Sequence, residues 1–169
     1  VLAILGAEND TNVRITAAPS SISQTGDVLL TASSGATVTL SNGWSYLEPS
    51  IISQAVPNVG QYGTRVSIFG SHLLGGGSSI SAVTLKGTSV TDILFFNDTL
   101  VVVTADHGVA GLGNIILVSD TGATVSFMNG WTYLLEGSVT SILPIAQGQW
   151  GTYITILGQG LLGGGSNLV

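Results

Sequence analysis

The chain repeats itself. Asn42-Gly43-Trp44-Ser45-Tyr46 returns as Asn129-Gly130-Trp131-Thr132-Tyr133, 87 residues on, and Gly35-Ala36-Thr37-Val38 returns as Gly122-Ala123-Thr124-Val125 at the same spacing. Asn9-Asp10-Thr11 returns as Asn97-Asp98-Thr99 at 88. The segment from Gly63-Thr64 to Leu73-Leu74-Gly75-Gly76-Gly77-Ser78 returns, also at 88, from Gly151-Thr152 to Leu161-Leu162-Gly163-Gly164-Gly165-Ser166. Independent blocks that keep one order and one period require a series of like structural units.

Within a unit the pattern is that of short strands. Thr64-Arg65-Val66-Ser67-Ile68 and Thr152-Tyr153-Ile154-Thr155-Ile156 alternate polar with mostly β-branched apolar residues, so one face of each is apolar. Val101 to Thr104 and Ile115 to Val118 are short apolar runs bounded by turn residues. No apolar period of 3.6 residues persists for three turns. Strands at about 8–12-residue spacing with Gly, Asn and Asp between them predict an all-β sandwich. The inward positions expected in the whole unit are Val66, Ile68, Val83, Leu85, Val101 and Val103, with Trp131 or Tyr133 closing one edge.

The ordered blocks resemble a known family. Pro57 and Gly60 precede Gly63 to Leu74, followed by Val83 to Gly87, Asn97 to Val103, Gly113 to Leu117, and Gly130 to Tyr133. That series is similar to the IPT/TIG repeat, and the Leu-Leu-Gly-Gly-Gly-Ser and Gly-Trp-x-Tyr variants resemble tandem arrays in large surface proteins of protists and algae. The resemblance implies an early-set immunoglobulin-like sandwich of the kind found in plexin-type receptors, surface proteins and some DNA-binding factors.

By the repeat, residues 1–49 carry the later strands of one unit, 50–137 form a whole unit, and 138–169 carry the opening strands of a third. Each partial end alone leaves open sheet edges and half a core. Consecutive copies are therefore expected to join head to tail, with Ile154 and Ile156 facing Val13, Ile15, Val28 and Leu30 of the next copy. Such a contact uses two different surfaces and propagates. A continuous array and strand addition between separate chains both give this geometry. Two registers are open: aligning Asn-Asp-Thr leaves about seven residues missing between copies, whereas aligning Leu2 to Gly6 with Val83 to Gly87 lets Val169 run into Val1. Ends that fold together within one chain, or stay exposed and unpaired, would count against the joining.

Composition narrows the partners. Only 7% of the residues are charged, against about 25% in an ordinary soluble domain. Charge keeps proteins apart in solution, so this surface calls for another solubiliser, such as glycans, or for assembly. Arg14, Arg65 and Lys86 are the only cationic side chains besides histidine, and the net charge is −6. Phosphate-backbone and anionic-membrane binding need clustered Lys or Arg, so neither partner is expected, and this also sets aside the family's DNA-binding role. Without cysteine there is no disulfide or thiolate site. No apolar run reaches the length of a membrane span. The residues from Val1 to Gly6 lack a basic region and do not read as a signal peptide, so the chain reads as an internal piece.

No catalytic constellation is legible. His72 and His107 sit in turns, and other copies hold Gly160 and Pro19 at or near those places, so the repeat does not require an imidazole. The Gly75-Gly76-Gly77 loop lacks the lysine and helix of a phosphate cradle and reads as a loop needing free φ. Glu8 with Asp10, and Asp92 near Asp98, are carboxylates without a calcium-loop pattern and read as turn chemistry. No metal and no cofactor is expected. Trp44, Trp131, Trp150, Tyr46, Tyr62 and Tyr133 could stack on sugars, but recurrence once per repeat favours packing. Asn9 and Asn97, each in an Asn-Asp-Thr triplet, fit the N-glycosylation acceptor pattern at equivalent positions.

These readings predict a non-enzymatic structural repeat of an extracellular fibre, coat or adhesive stalk. Its linkers are short, Leu47 to Ser50 and Leu134 to Ser138. The alternatives are a ligand- or carbohydrate-binding ectodomain of a surface receptor or adhesin, and an accessory module of a secreted carbohydrate-active enzyme.

Overall fold

The computed structural model describes residues 4–144 and 147–168, and all regular structure in them is β-strand. The chain forms two compact units, Val1–Pro49 and Ser50–Val169. In the first, β1 (Ile4–Asn9) and β2 (Asn12–Thr16) form one antiparallel hairpin, and β3 (Gln24–Thr31) and β4 (Thr37–Tyr46) a second.

The second unit holds a complete sandwich. Its strands are β5 (Ile51–Val56), β6 (Val59–Gly60), β7 (Arg65–Ser71), β8 (Ile80–Leu85), β9 (Thr88–Ser89), β10 (Asp92–Phe96), β11 (Leu100–Thr104), β12 (Gly111–Ser119) and β13 (Thr124–Tyr133). One sheet has the order β10-β11-β7-β5, the other β6-β13-β12-β8-β9. A further hairpin of β14 (Ser138–Leu143) and β15 (Thr155–Gln159) follows.

The period-2 reading of the sequence sets the core. Val66 and Ile68 from β7, and Val101 and Val103 from β11, are wholly buried, and Val83 and Leu85 of β8 are at most 2% exposed. Ile115 and Leu117 of β12 close the core from the other sheet. Trp131 and Tyr133 are both buried, edge to face with ring centroids 5.5 Å apart. They bring a cost, since Trp131 Nε1 and the Tyr133 hydroxyl find no hydrogen-bond partner in the structure. Burial, assisted by the charge of Asp106, raises the Tyr133 phenol above its ordinary pKa.

Sequence equivalence is matched by geometry down to single hydrogen bonds. Asn129 adopts φ 54° opposite the bulge between Gly113 and Ile115, and its N–H donates to Asn114 Oδ1 at 2.9 Å. Eighty-seven residues earlier, Asn42 adopts φ 52° opposite the bulge between Gly26 and Val28, and its N–H donates to Asp27 Oδ1 at 2.8 Å. The turn before β7, where Thr64 Oγ1 accepts from Gln61 N at 3.1 Å, is reproduced before β15 by Thr152 and Gln149 at 2.9 Å.

Burial is where the copies part. Val13 and Ile15, equivalent to the buried Val101 and Val103, are 38% and 46% exposed; Ile154 and Ile156, equivalent to Val66 and Ile68, are 59% and 48% exposed. These strands stand exposed, one of the two outcomes that count against the head-to-tail joining expected from the sequence. β1 pairs with β2 in the manner of β10 with β11, the register of the Asn-Asp-Thr alignment. Val1 to Ala3 and Val169, on which the other register turns, lie outside the described residues.

Candidate functional site

The two acceptor triplets take one conformation. Asn97 Oδ1 accepts from Thr99 N, Leu100 N and Thr99 Oγ1 at 2.8, 2.8 and 3.1 Å; Asn9 Oδ1 accepts from Thr11 N, Asn12 N and Thr11 Oγ1 at 2.9, 2.8 and 2.9 Å. Each asparagine thus closes the turn of its own hairpin, by a side chain standing in for a turn's backbone acceptor. Both are exposed. The amide nitrogen, which an N-linked sugar would modify, takes no part in these bonds.

The histidines differ. His72 is exposed at φ 53°, and its equivalent Gly160 has φ 58°. The position demands a left-handed backbone, not an imidazole. His107 is also largely exposed, but its ring stacks on Tyr62 with centroids 3.9 Å apart and planes 4° from parallel, and Nδ1 lies 2.7 Å from Glu136 Oε1. Beside it, Gly137 N donates to Gln61 Oε1 at 2.7 Å, and Leu134 N to the Gly60 carbonyl at 2.7 Å. Sequence reading missed this cluster because its members lie far apart in the chain and the stacked pair, Tyr62 and His107, is not kept in the other copies, which hold Trp150 and Pro19 there.

The triple-glycine loop uses its freedom as expected: Gly75 and Gly76 have φ of 55° and 78°, and their counterparts Gly163 and Gly164 have 59° and 93°. Its end is tied down by Asp120, whose carboxylate accepts from Ser78 Oγ at 2.6 Å, Ser78 N at 3.1 Å and Ser79 Oγ at 3.2 Å. The bond from Ser78 lowers the Asp120 pKa. Among the described residues no three His, Asp or Glu side chains are grouped to hold a metal ion, and no helix is long and apolar enough to cross a membrane.

A concavity lies in the first unit. A cleft of about 1120 Å³ runs between its two hairpins, lined by Val13, Ile15, Val28, Leu30, Val38 and Trp44 among others. Trp44 meets Tyr46 edge to face at 6.0 Å, as Trp131 meets Tyr133, yet Trp44 is half exposed. The aromatics between β14 and β15 are bare: Trp150 is fully exposed and Tyr153 almost so.

A two-sheet, cysteine-free sandwich with this strand order and a buried aromatic pair on its last strand is an immunoglobulin-like domain. The IPT/TIG domain model matches residues 49–133, and the chain belongs to that family. No curated protein matches it.

Among solved structures, the chain is similar to an auxiliary nutrient binding protein from Bacteroides ovatus (19% identity, TM-score 0.44, covering 57% of this chain and 23% of that one). It is also similar to a protein crystallised with xylogluco-oligosaccharide (15%, 0.41, 73% and 27%). A third is SGBP-B of the Bacteroides ovatus mixed-linkage glucan utilization locus, in complex with a mixed-linkage heptasaccharide (15%, 0.40, 81% and 36%). The chain spans between about a quarter and a third of the length of these proteins. Likeness at this level carries no functional inference.

Proposed function

We propose that the chain is a non-catalytic structural segment of an extracellular or cell-surface repeat protein, a fibre, coat or adhesive stalk built from IPT/TIG sandwiches. The observation that carries this reading is the linker after β13. Within four residues it is attached three times to the sandwich it leaves: Leu134 to Gly60, Glu136 to His107 and Gly137 to Gln61. The exposed His107–Glu136 contact adds little energy by itself, but the two backbone donors have fixed partners. A connection held in this way is a spacer of set geometry instead of a flexible tether. The sparse charge of the surface agrees with a chain meant to sit among copies of itself.

A second reading has its own observation. Trp150 and Tyr153 offer flat apolar rings to solvent on one loop, the side chains that stack on sugar rings in a carbohydrate-binding ectodomain. A glycan array separates the two. The structural reading expects no saccharide to be retained; retention that disappears in Trp150→Ala would replace it with the carbohydrate-binding one.

Sugar carried by the chain is a separate proposal, at Asn9, Asn97 or both. Intact-mass measurement of the native secreted material before and after deglycosylation is expected to show a drop. A segment mass of 17.1 kDa throughout would refute it.

A further inference from the structure

We propose that the glycine loop of one repeat is the surface that docks on the repeat before it, and that this contact fixes the angle between consecutive sandwiches along the chain. This deepens the spacer reading above and rests on it. After β15 the chain turns through Gly160 to Gly164 and lies against the β6 edge of the sandwich it has left. Gly164 passes over Gly60: a methyl group on it would come within 2.9 Å of Leu134 Cδ1, 3.7 Å of Gly60 Cα and 3.9 Å of the Val59 carbonyl oxygen. A methyl on Gly163 would lie 3.2 Å from Gln61 Nε2. Gly160 meets the linker, so closely that a methyl at Gly137 would sit on the Gly160 carbonyl oxygen. Gln61 serves both parts of the contact, since its Oε1 accepts from Gly137 N at 2.7 Å while its Nε2 faces Gly163. Backbone comes this near to backbone only where side chains are missing.

The loop docks in the form it has inside the complete sandwich. Gly163 N donates to Gly160 O at 2.9 Å and Gly165 N to Leu162 O at 2.8 Å, as Gly75 N does to His72 O and Gly77 N to Leu74 O, at the same distances. Its seat on Gly60 and Gln61 uses no open sheet edge of the second hairpin and no part of that hairpin's apolar face.

Both halves of the contact recur. The ledge Gly60-Gln61 returns as Gly148-Gln149, and Gly163-Gly164 stand where the whole unit has Gly75-Gly76. Leu134 has Leu47 as its counterpart. Gly137 has Ser50, whose Oγ donates to the His72 carbonyl at 2.6 Å, so linker meets loop in that copy as well. The outer clasp does not recur: Pro19 and Pro49 stand where His107 and Glu136 do. Ledge and loop thus belong to the repeat, and the clasp is an addition at one joint. A unit that carries both ledge and loop passes the same nearest-neighbour contact along a series. Domains on short linkers move against one another unless specific contacts hold them; here the holding contacts are backbone and one amide side chain, with no charge required.

The absence of native cysteine lets spin labels report the joint directly. Ser126→Cys on β13 and Ser141→Cys on β14, both exposed, are labelled in the full chain and their separation is read by double electron–electron resonance. A single narrow distance is expected. Gln61→Ala keeps the backbone of the turn with Thr64 and removes the side chain that bridges linker and loop. It should broaden the distance distribution and speed exchange of the Gly137 amide about tenfold, while the thermal midpoint of the central sandwich stays put. Gln61→Glu retains the acceptor and should retain the protection of Gly137. A distribution that stays as narrow in Gln61→Ala as in the parent overturns the docking and leaves the spacer reading standing. A broad distribution in the parent itself overturns both.

Discussion

Trp131→Ala is expected to destabilise the central sandwich by about 3 kcal/mol, most of the stability of a marginal domain of this size. Two terms oppose each other. Removing a buried indole and leaving its cavity costs about 3–5 kcal/mol, and Trp131 has no exposed surface through which the site could rehydrate cheaply. Against this, its Nε1–H is buried without a partner, so its removal returns roughly 1 kcal/mol of desolvation penalty. The cavity term wins. Thermal unfolding is the measurement, with a drop of roughly 15 °C expected. Trp44→Ala, at the equivalent but half-exposed site, should shift stability by less than about 1 kcal/mol in dilute solution. Equal effects at the two positions would show that the exposed copy packs its own core after all.

Gly70→Ala should be as damaging for a different reason. A methyl group there would sit on the carbonyl oxygen of Ile51 and press on Leu73 Cδ2. Gly70 lies opposite Ile52 in the β5–β7 pairing, so the obstacle is backbone of the neighbouring strand, which cannot rotate away as a side chain would. Relief requires moving β5 off β7, at a cost of about 3 kcal/mol. Denaturant unfolding should show a lower midpoint with an unchanged slope. Gly158→Ala is the control: its methyl meets the Ser138 carbonyl in the same way, but in the β14–β15 hairpin outside the sandwich. A wild-type midpoint for Gly70→Ala, or an equal loss in both variants, would defeat the argument.

What could be read from the sequence was whatever repeats or alternates. Val66, Ile68, Val101 and Val103 were legible as inward positions because a strand gives each side chain one of two faces, and one residue type marked the inner face. The glycine loop was legible because a recurring run of glycines signals free φ, which Gly75, Gly76, Gly163 and Gly164 use; Gly77 instead makes room for the Asp120 carboxylate. Trp131 and Tyr133 were legible as packing residues because their block recurs once per repeat; that the fold leaves the indole N–H and the phenol hydroxyl without partners had no sequence signal. The Tyr62–His107–Glu136 arrangement had no sequence signal at all, since its contacts depend on how the linker folds back over the sandwich. Nor does a repeat tell which copies are covered. Val13 and Val101 carry the same pattern, and only the structure separates 38% exposure from none.

The surface carries nine carboxylates against Arg14, Arg65 and Lys86, a net −6. With so few cations to pair with them, what dissolved salt acts on between two such chains is repulsion and not attraction. Screening that repulsion favours contact, so the chain is expected to grow less soluble as ionic strength rises, the reverse of a protein held in complexes by opposite charges.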